Sequence, residues 1–128
     1  MSTSRERDGI CRAFSTHRFE EVFVDLADDV RWILPGQAVI EGSKAVIQAC
    51  RGTRDELAET TTSWLRVVSA AGEDVVAVDV VGRYDDKDGV TAVSSCDIYE
   101  FDGRKIARIT SYAVEVDPDD IGSAPAAH

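Results

Sequence analysis

Residues 90–116 read VTAVSSCDIYEFDGRKIARITSYAVEV, and the reading of this stretch decides the fold. Two runs rich in Val, Ile, Thr and Tyr, Val90 to Phe101 and Lys105 to Val116, flank Asp102-Gly103-Arg104. Asp-Gly favours a hairpin turn because both residues tolerate the positive φ that such turns require. The two runs therefore predict a pair of antiparallel strands. Working back along the chain, Thr60 to Ala70 and Asp74 to Tyr84 have the same composition. Their separators are Ala71-Gly72-Glu73 and Asp85-Asp86-Lys87-Asp88-Gly89. Four strands joined by short turns are antiparallel neighbours. Each exceeds the common strand length of about 5–6 residues, so a bend or bulge is expected in each.

Upstream of Thr60 the apolar spacing changes from two to three and four. Ile10, Cys11, Ala13 and Phe14 share one face of a helix predicted over Arg5 to Phe14. Ser15-Thr16 offers capping hydroxyls for a second short helix, whose stripe is Phe19, Val22, Phe23 and Leu26. Asp28-Asp29 ends that helix, and Val30 to Leu34 is a short strand closed by Pro35-Gly36. Gly36 to Gly42 reads as loop. Ser43 caps a third helix that buries Ala45, Val46, Ile47, Ala49 and Cys50, with Gly52 as its end or a kink. Helices first and sheet second is an α+β order. Short helices cover one face of such a sheet, so a curved antiparallel sheet wraps the N-terminal helices into a cone-shaped barrel with one pocket. Residues 1–116 form the domain. Residues 117–128, with two prolines and three aspartates, form a flexible acidic tail.

The 128 residues suit one core. The net charge of −10, from 24 acids against 14 bases, repels nucleic acid and anionic membrane surfaces. No apolar run approaches the roughly 18 residues that cross a bilayer, and the polar start carries no signal region. A cytoplasmic location is expected. Cys11, Cys50 and Cys96 lack C-x-x-C spacing, and only His17 and His128 could assist them. They read as reduced thiols, with no zinc set and no metal or organic cofactor.

Leu26-Ala27-Asp28-Asp29-Val30-Arg31-Trp32-Ile33-Leu34-Pro35-Gly36, leading into Ile40-Glu41-Gly42-Ser43-Lys44-Ala45-Val46, places an acidic pair, a strand, a Pro-Gly turn, a glycine and a helix in series. Asp97-Ile98-Tyr99-Glu100-Phe101-Asp102-Gly103-Arg104-Lys105-Ile106 adds an aspartate, an aromatic, a glycine turn and a Lys-Ile pair. The pattern resembles the SnoaL-like branch of the nuclear transport factor 2-like superfamily, with its cystatin-like fold. The resemblance implies a dimeric cone with a small-molecule pocket. It also implies activities ranging over polyketide cyclases, ketosteroid isomerases, limonene epoxide hydrolases, dehydratases and non-enzymatic carriers. The isomerase base position falls on Leu34, the isomerase tyrosine near Ile10, and the second acid on Asp97. The epoxide hydrolase Arg and Asp positions fall near Val80 and Gly82. The last-strand acid of hydrolases and cyclases falls on Ser111. Only Asp97 keeps a matching residue.

Asp97 is thus the candidate catalytic group. In an apolar-flanked strand facing a pocket, desolvation raises its pKa. A neutral carboxylic acid then donates a hydrogen bond to a carbonyl or enolate, as in ketosteroid isomerase. Strand alternation carries the reading further. If Asp97 faces in, so do Val93, Ser95 and Tyr99, with Val76, Val78 and Val80 on the preceding strand. Ala107, Ile109, Ser111 and Ala113 follow on the last. With Trp32 from the first strand, the expected ligand contacts are Trp32, Val78, Val80, Ser95, Tyr99, Ile109 and Ser111. Trp64 is a candidate for the outer sheet face, His17 for a surface or capping role, and Asp28-Asp29 for turn groups. Three functions stay open. One is a cofactor-free isomerase, cyclase or dehydratase acting on an apolar carbonyl compound. The second is a non-enzymatic binding module for a hydrophobic metabolite. The third is a dimeric protein-interaction subunit. The expected partners are an apolar small molecule and a second copy joined through the sheet.

Overall fold

The structure is a computed structural model that describes residues 4–121. Helix α1 (Ser4–Ser15) leads through two 3₁₀ turns, Phe19–Glu21 and Phe23–Asp25, into β1 (Leu26–Leu34) and β2 (Ala38–Glu41). Helix α2 (Ser43–Glu56) follows, then β3 (Thr61–Gly72), β4 (Val75–Asp86), β5 (Gly89–Asp102), β6 (Lys105–Val116) and a short α3 (Pro118–Ile121). The six strands form one sheet in the order β2-β1-β6-β5-β4-β3. The four long strands are antiparallel neighbours as their turns require. The sheet is nonetheless mixed, because β1 runs parallel to β6. Helix α1 packs on β3 and β4, and α2 packs on β1 and β2. The core therefore lies between the helices and the concave face of the sheet.

Several local expectations change. The stripe Phe19, Val22, Phe23, Leu26 is not a helix. A spacing of three also fits successive 3₁₀ turns, and these bury Phe19 and Val22 while leaving Val24 at 74% exposure. The strand then begins at Leu26, so Asp28 and Asp29 are exposed residues inside β1 and terminate no helix. Within 36–42, Ala38–Glu41 pairs with β1. Gly42, at φ 91°, is the N-cap of α2 in place of Ser43, and α2 continues through Gly52. In the tail, Pro118–Ile121 is helical; the expectation of a mobile tail otherwise falls on 122–128, outside the described residues.

Bulges set which side chains face inward. The β3–β4 register slips between Trp64 and Arg66, so Trp64 pairs with Gly82 and Val67 with Val80. Trp64 thereby turns to the concave side, and not to the outer face for which it was a candidate. The β5–β6 register slips between Glu100 and Phe101, which face Arg108 and Ile106. Ala107 is the extra residue, and Ile106 and Ile109 are both fully buried in its place. Such a two-against-one step reverses the alternation locally. Arg7 ties α1 to the end of the sheet. Its guanidinium meets Asp74 Oδ1 at 3.0 Å, donates to the Gly103 carbonyl at 2.6 Å and lies over the Phe101 ring.

Candidate functional site

The site grows from one rung of the sheet, where Val78 of β4, Asp97 of β5 and Ser111 of β6 stand in register on the concave face. Val78 is fully buried, so Asp97 has an apolar neighbour on one side of the rung. Asp97 is not left alone there. Ser111 Oγ donates to Asp97 Oδ1 at 2.6 Å and accepts the Trp32 indole N–H at 2.8 Å. Ser15 Oγ donates to Oδ2 at 2.7 Å. Ser15 also lies 2.6 Å from the Tyr99 hydroxyl. Its single proton goes to Asp97, so Tyr99 is the donor of that pair. Two relays, Trp32–Ser111 and Tyr99–Ser15, thus converge on one carboxylate.

Two effects compete for the Asp97 proton. Burial disfavours the charge, while the Ser111, Ser15 and Tyr99 hydroxyls stabilise it. Burial is the larger, and the pKa stands above the ordinary aspartate value. Burial, reinforced by the neighbouring Asp97 charge, likewise holds the Tyr99 and Tyr84 phenols protonated well into alkaline pH.

A cavity of about 270 Å³ opens beside Asp97. Ser15, Ser95, Asp97 and Ser111 supply polar wall, and Phe14, Phe19, Trp32, Trp64 and Tyr84 supply aromatic wall. The rings brace one another edge to face, with Phe14 5.3 Å from Trp32 and 5.1 Å from Phe19. Gly82 makes room for two of them. A Cβ there would lie 2.9 Å from both Trp64 Cζ3 and Tyr84 Oη.

His17 is the residue that sequence reasoning placed elsewhere. It lies on the cavity wall, its ring stacked on Phe19 at 5.1 Å and edge-on to Trp64 at 4.9 Å. Arg18 N donates to Ala13 O and His17 N to Phe14 O, the paired bonds of a Schellman helix end. His17 fills the left-handed position of that motif, at φ 65°. Glycine is the usual occupant, and a side chain there costs roughly 1–2 kcal/mol. Burial lowers the His17 pKa from 6.5 to about 4, so the ring is neutral at pH 7.

Of the expected contacts, Trp32, Ser95, Asp97 and Ser111 come together on the cavity wall. Val78, Val80, Tyr99 and Ile109 share the concave side but pack into the core beneath it, each at 2% exposure or less. Ser15, expected as a helix cap, hydrogen-bonds Asp97 instead. No local pattern signals that role, since the two residues are 82 positions apart. The thiols of Cys11 and Cys50 are buried, and burial pushes both far above the usual cysteine range. Among the described residues no cluster of His, Cys, Asp and Glu could hold a metal, and no helix is long and apolar enough to cross a membrane.

A family model described as a SnoaL-like domain matches residues 8–109. Three solved structures illustrate the likeness. An NTF2-like protein of unknown function from Cytophaga hutchinsonii is 28% identical, with 88% of this chain and 100% of that chain covered and a TM-score of 0.77. A protein provisionally named a polyketide cyclase, from Xanthomonas campestris, is 16% identical over 95% of this chain and 98% of its own, with a TM-score of 0.69. An LEH-like epoxide hydrolase from M. tuberculosis is 16% identical over 87% and 81%, with a TM-score of 0.63. The last two share the fold and carry no further argument. No curated protein matches the chain as a relative.

Proposed function

Because this chain belongs to the SnoaL-like domain family, we propose that it holds an apolar carbonyl compound in its cavity and moves a proton on it without a cofactor. The observation that carries this reading is Asp97, a carboxyl with a raised pKa set among aromatic walls. A raised pKa makes the protonated carboxyl easier to reach, and in that form it can donate to a carbonyl oxygen as negative charge develops there. The Trp32–Ser111 and Tyr99–Ser15 relays then stabilise the carboxylate left behind. Isomerisation, cyclisation and dehydration all begin with such an enolising step. Asp97→Asn keeps the shape and removes the acid, so turnover of an enolisable ketone should fall by about 10²–10⁴. Undiminished turnover would reject the role.

One observation favours a second reading, a binding module that leaves its ligand unchanged. Both Asp97 oxygens already accept hydrogen bonds from serines, which suits a fixed structural hub. Denaturing the purified protein and finding an intact apolar compound, with no conversion of added ketones, would select it.

The chain also fits a homodimer formed through the convex sheet face, where Val68, Tyr112 and Val114 are between 46% and 64% exposed. Sedimentation at several concentrations tests that assembly, and a monomer at all of them would exclude it. Three unbridged cysteines among the described residues suit the reducing cytoplasm.

A further inference from the structure

We propose that His17 is the proton acceptor of this pocket, taking a proton from the carbon next to a ligand carbonyl whose oxygen is hydrogen-bonded by Asp97. The proposal rests on the proton-transfer reading above and supplies the base that reading lacks.

Three observations carry it. First, His17 occupies the left-handed end position of α1, where glycine would spare the backbone its strain. Strain kept at a cavity wall points to a use for the side chain. Second, His17 stands where three hollows meet: the cavity holding Asp97, a groove with Arg54 and Thr62, and another with Glu56 and Asp86. His17 is the one lining residue common to all three. Third, the ring makes aromatic contacts but no hydrogen bond among the described residues. The other polar groups of the cavity are committed or not basic. Ser15 and Ser111 donate to Asp97, and the Tyr84 phenol is held protonated. Among the described residues lining the cavity, His17 alone offers a basic lone pair that no hydrogen bond occupies.

The step balances within these groups. The C–H bond breaks and its proton goes to an imidazole nitrogen. The electron pair forms a C=C bond, and the carbonyl oxygen takes the Asp97 proton. An enol, an imidazolium and a carboxylate result; the imidazolium then gives a proton to carbon while the enol O–H proton passes back to Asp97, restoring the ketone and both side chains. The low pKa of His17 keeps the lone pair available at neutral pH. A carboxylate base of pKa about 4.6 serves ketosteroid isomerase, so weak basicity is no bar. The titratable or charged groups around the ring are Arg54 and Glu56 of α2, Tyr84 and Asp86 at the end of β4, and Asp97 on β5. Arg54 is paired with Glu20.

The test uses 2-tetralone, a bicyclic ketone with acidic protons beside its carbonyl, in deuterated buffer. Proton NMR reads deuterium incorporation, and tryptophan fluorescence reads binding. The wild-type chain should bind the ketone and accelerate exchange, with a rate that falls on acidification as His17 charges near pH 4. His17→Asn tolerates the left-handed backbone but is not a base. It should still bind, lose about 100-fold or more of the exchange, and lose that acid limb. Exchange as fast as wild type, or an unchanged acid limb, overturns the role of His17 while Asp97 keeps its own. Full activity of Asp97→Asn alongside an inactive His17→Asn supports the base and removes the acid. A wild-type chain that binds the ketone without exchange overturns the base together with the proton-transfer reading. Failure to bind the ketone overturns both as well.

Discussion

Asp79 and Asp97 lie on adjacent strands one register step apart, yet they inhabit different media. Asp79 pairs with Cys96 on the convex face, and its side chain, 43% exposed, meets Arg66 at 3.0 Å. Asp97 pairs with Val78 on the concave face, where hydroxyls and aromatic rings replace water. One carboxylate is balanced by a cation and solvent. The other is balanced by neutral donors and keeps a raised pKa. The pleat of the sheet makes this division, since neighbouring positions point to opposite sides. An acid's chemistry here follows from the parity of its position.

The largest effect should separate the two aspartates by turnover. Asp97→Asn is expected to cost about 10²–10⁴ in ketone exchange, and Asp79→Asn should leave the rate within about twofold of wild type, as a screened surface pair contributes little. Equal losses would erase the distinction. Stability comes next. Asp97→Ala strips both serines of their acceptor, and a buried donor left unpaired costs about 1–3 kcal/mol. The matching Asp79→Ala should cost under about 1 kcal/mol, both read by urea unfolding. Gly82→Ala probes the same concave wall. Its Cβ must displace both Trp64 and Tyr84, an overpacking expected to cost about 1–3 kcal/mol and to weaken ketone binding.

The pH dependence sharpens the contrast further. Asp97 has a folded pKa above its unfolded value. Its contribution to stability is full below the unfolded pKa and is lost as pH rises through the folded one. The stability of wild type relative to Asp97→Asn should therefore decline from acid towards neutral pH. His17 works in the opposite sense. Its folded pKa is depressed from 6.5 to about 4, so its contribution is full above 6.5 and falls away as pH drops towards 4. Against His17→Asn, wild type should lose stability across that interval, and parallel melting curves would contradict the burial of the ring. The smallest effect is reserved for the convex face. Tyr112→Ser, at a side chain 52% exposed, should shift the monomer's stability by no more than about 0.5 kcal/mol while weakening self-association.

The four long strands were legible because alternation and turn residues act locally. Ser95 and Ser111 were legible relative to Asp97 for the same reason, since parity puts all three on one side, whereas Asp97 itself came from the family pattern and Trp32 from its place in the first strand. A bulge defeated parity at Ala107, and another left the side of Trp64 undecided, because one extra residue leaves no compositional mark. The 3₁₀ turns at Phe19 and Phe23 defeated the helical reading because spacings of three suit both. Ser15 and His17 were illegible as site residues. Their place depends on how α1 docks on β3 and β4, a tertiary fact that propensity does not encode.

The parallel pairing of β1 with β6 joins Leu26 to Ile106 and Trp32 to Ile109. During synthesis β1 and β2 therefore wait as an unmatched edge until the last strand leaves the ribosome. Contacts between such distant segments slow folding, because a long loop must close before they form. Ser111, which accepts the Trp32 indole and donates to Asp97, belongs to that late-arriving strand. The hydrogen-bond set around Asp97 is thus completed only when β6 docks, after most of the other secondary structure can already exist.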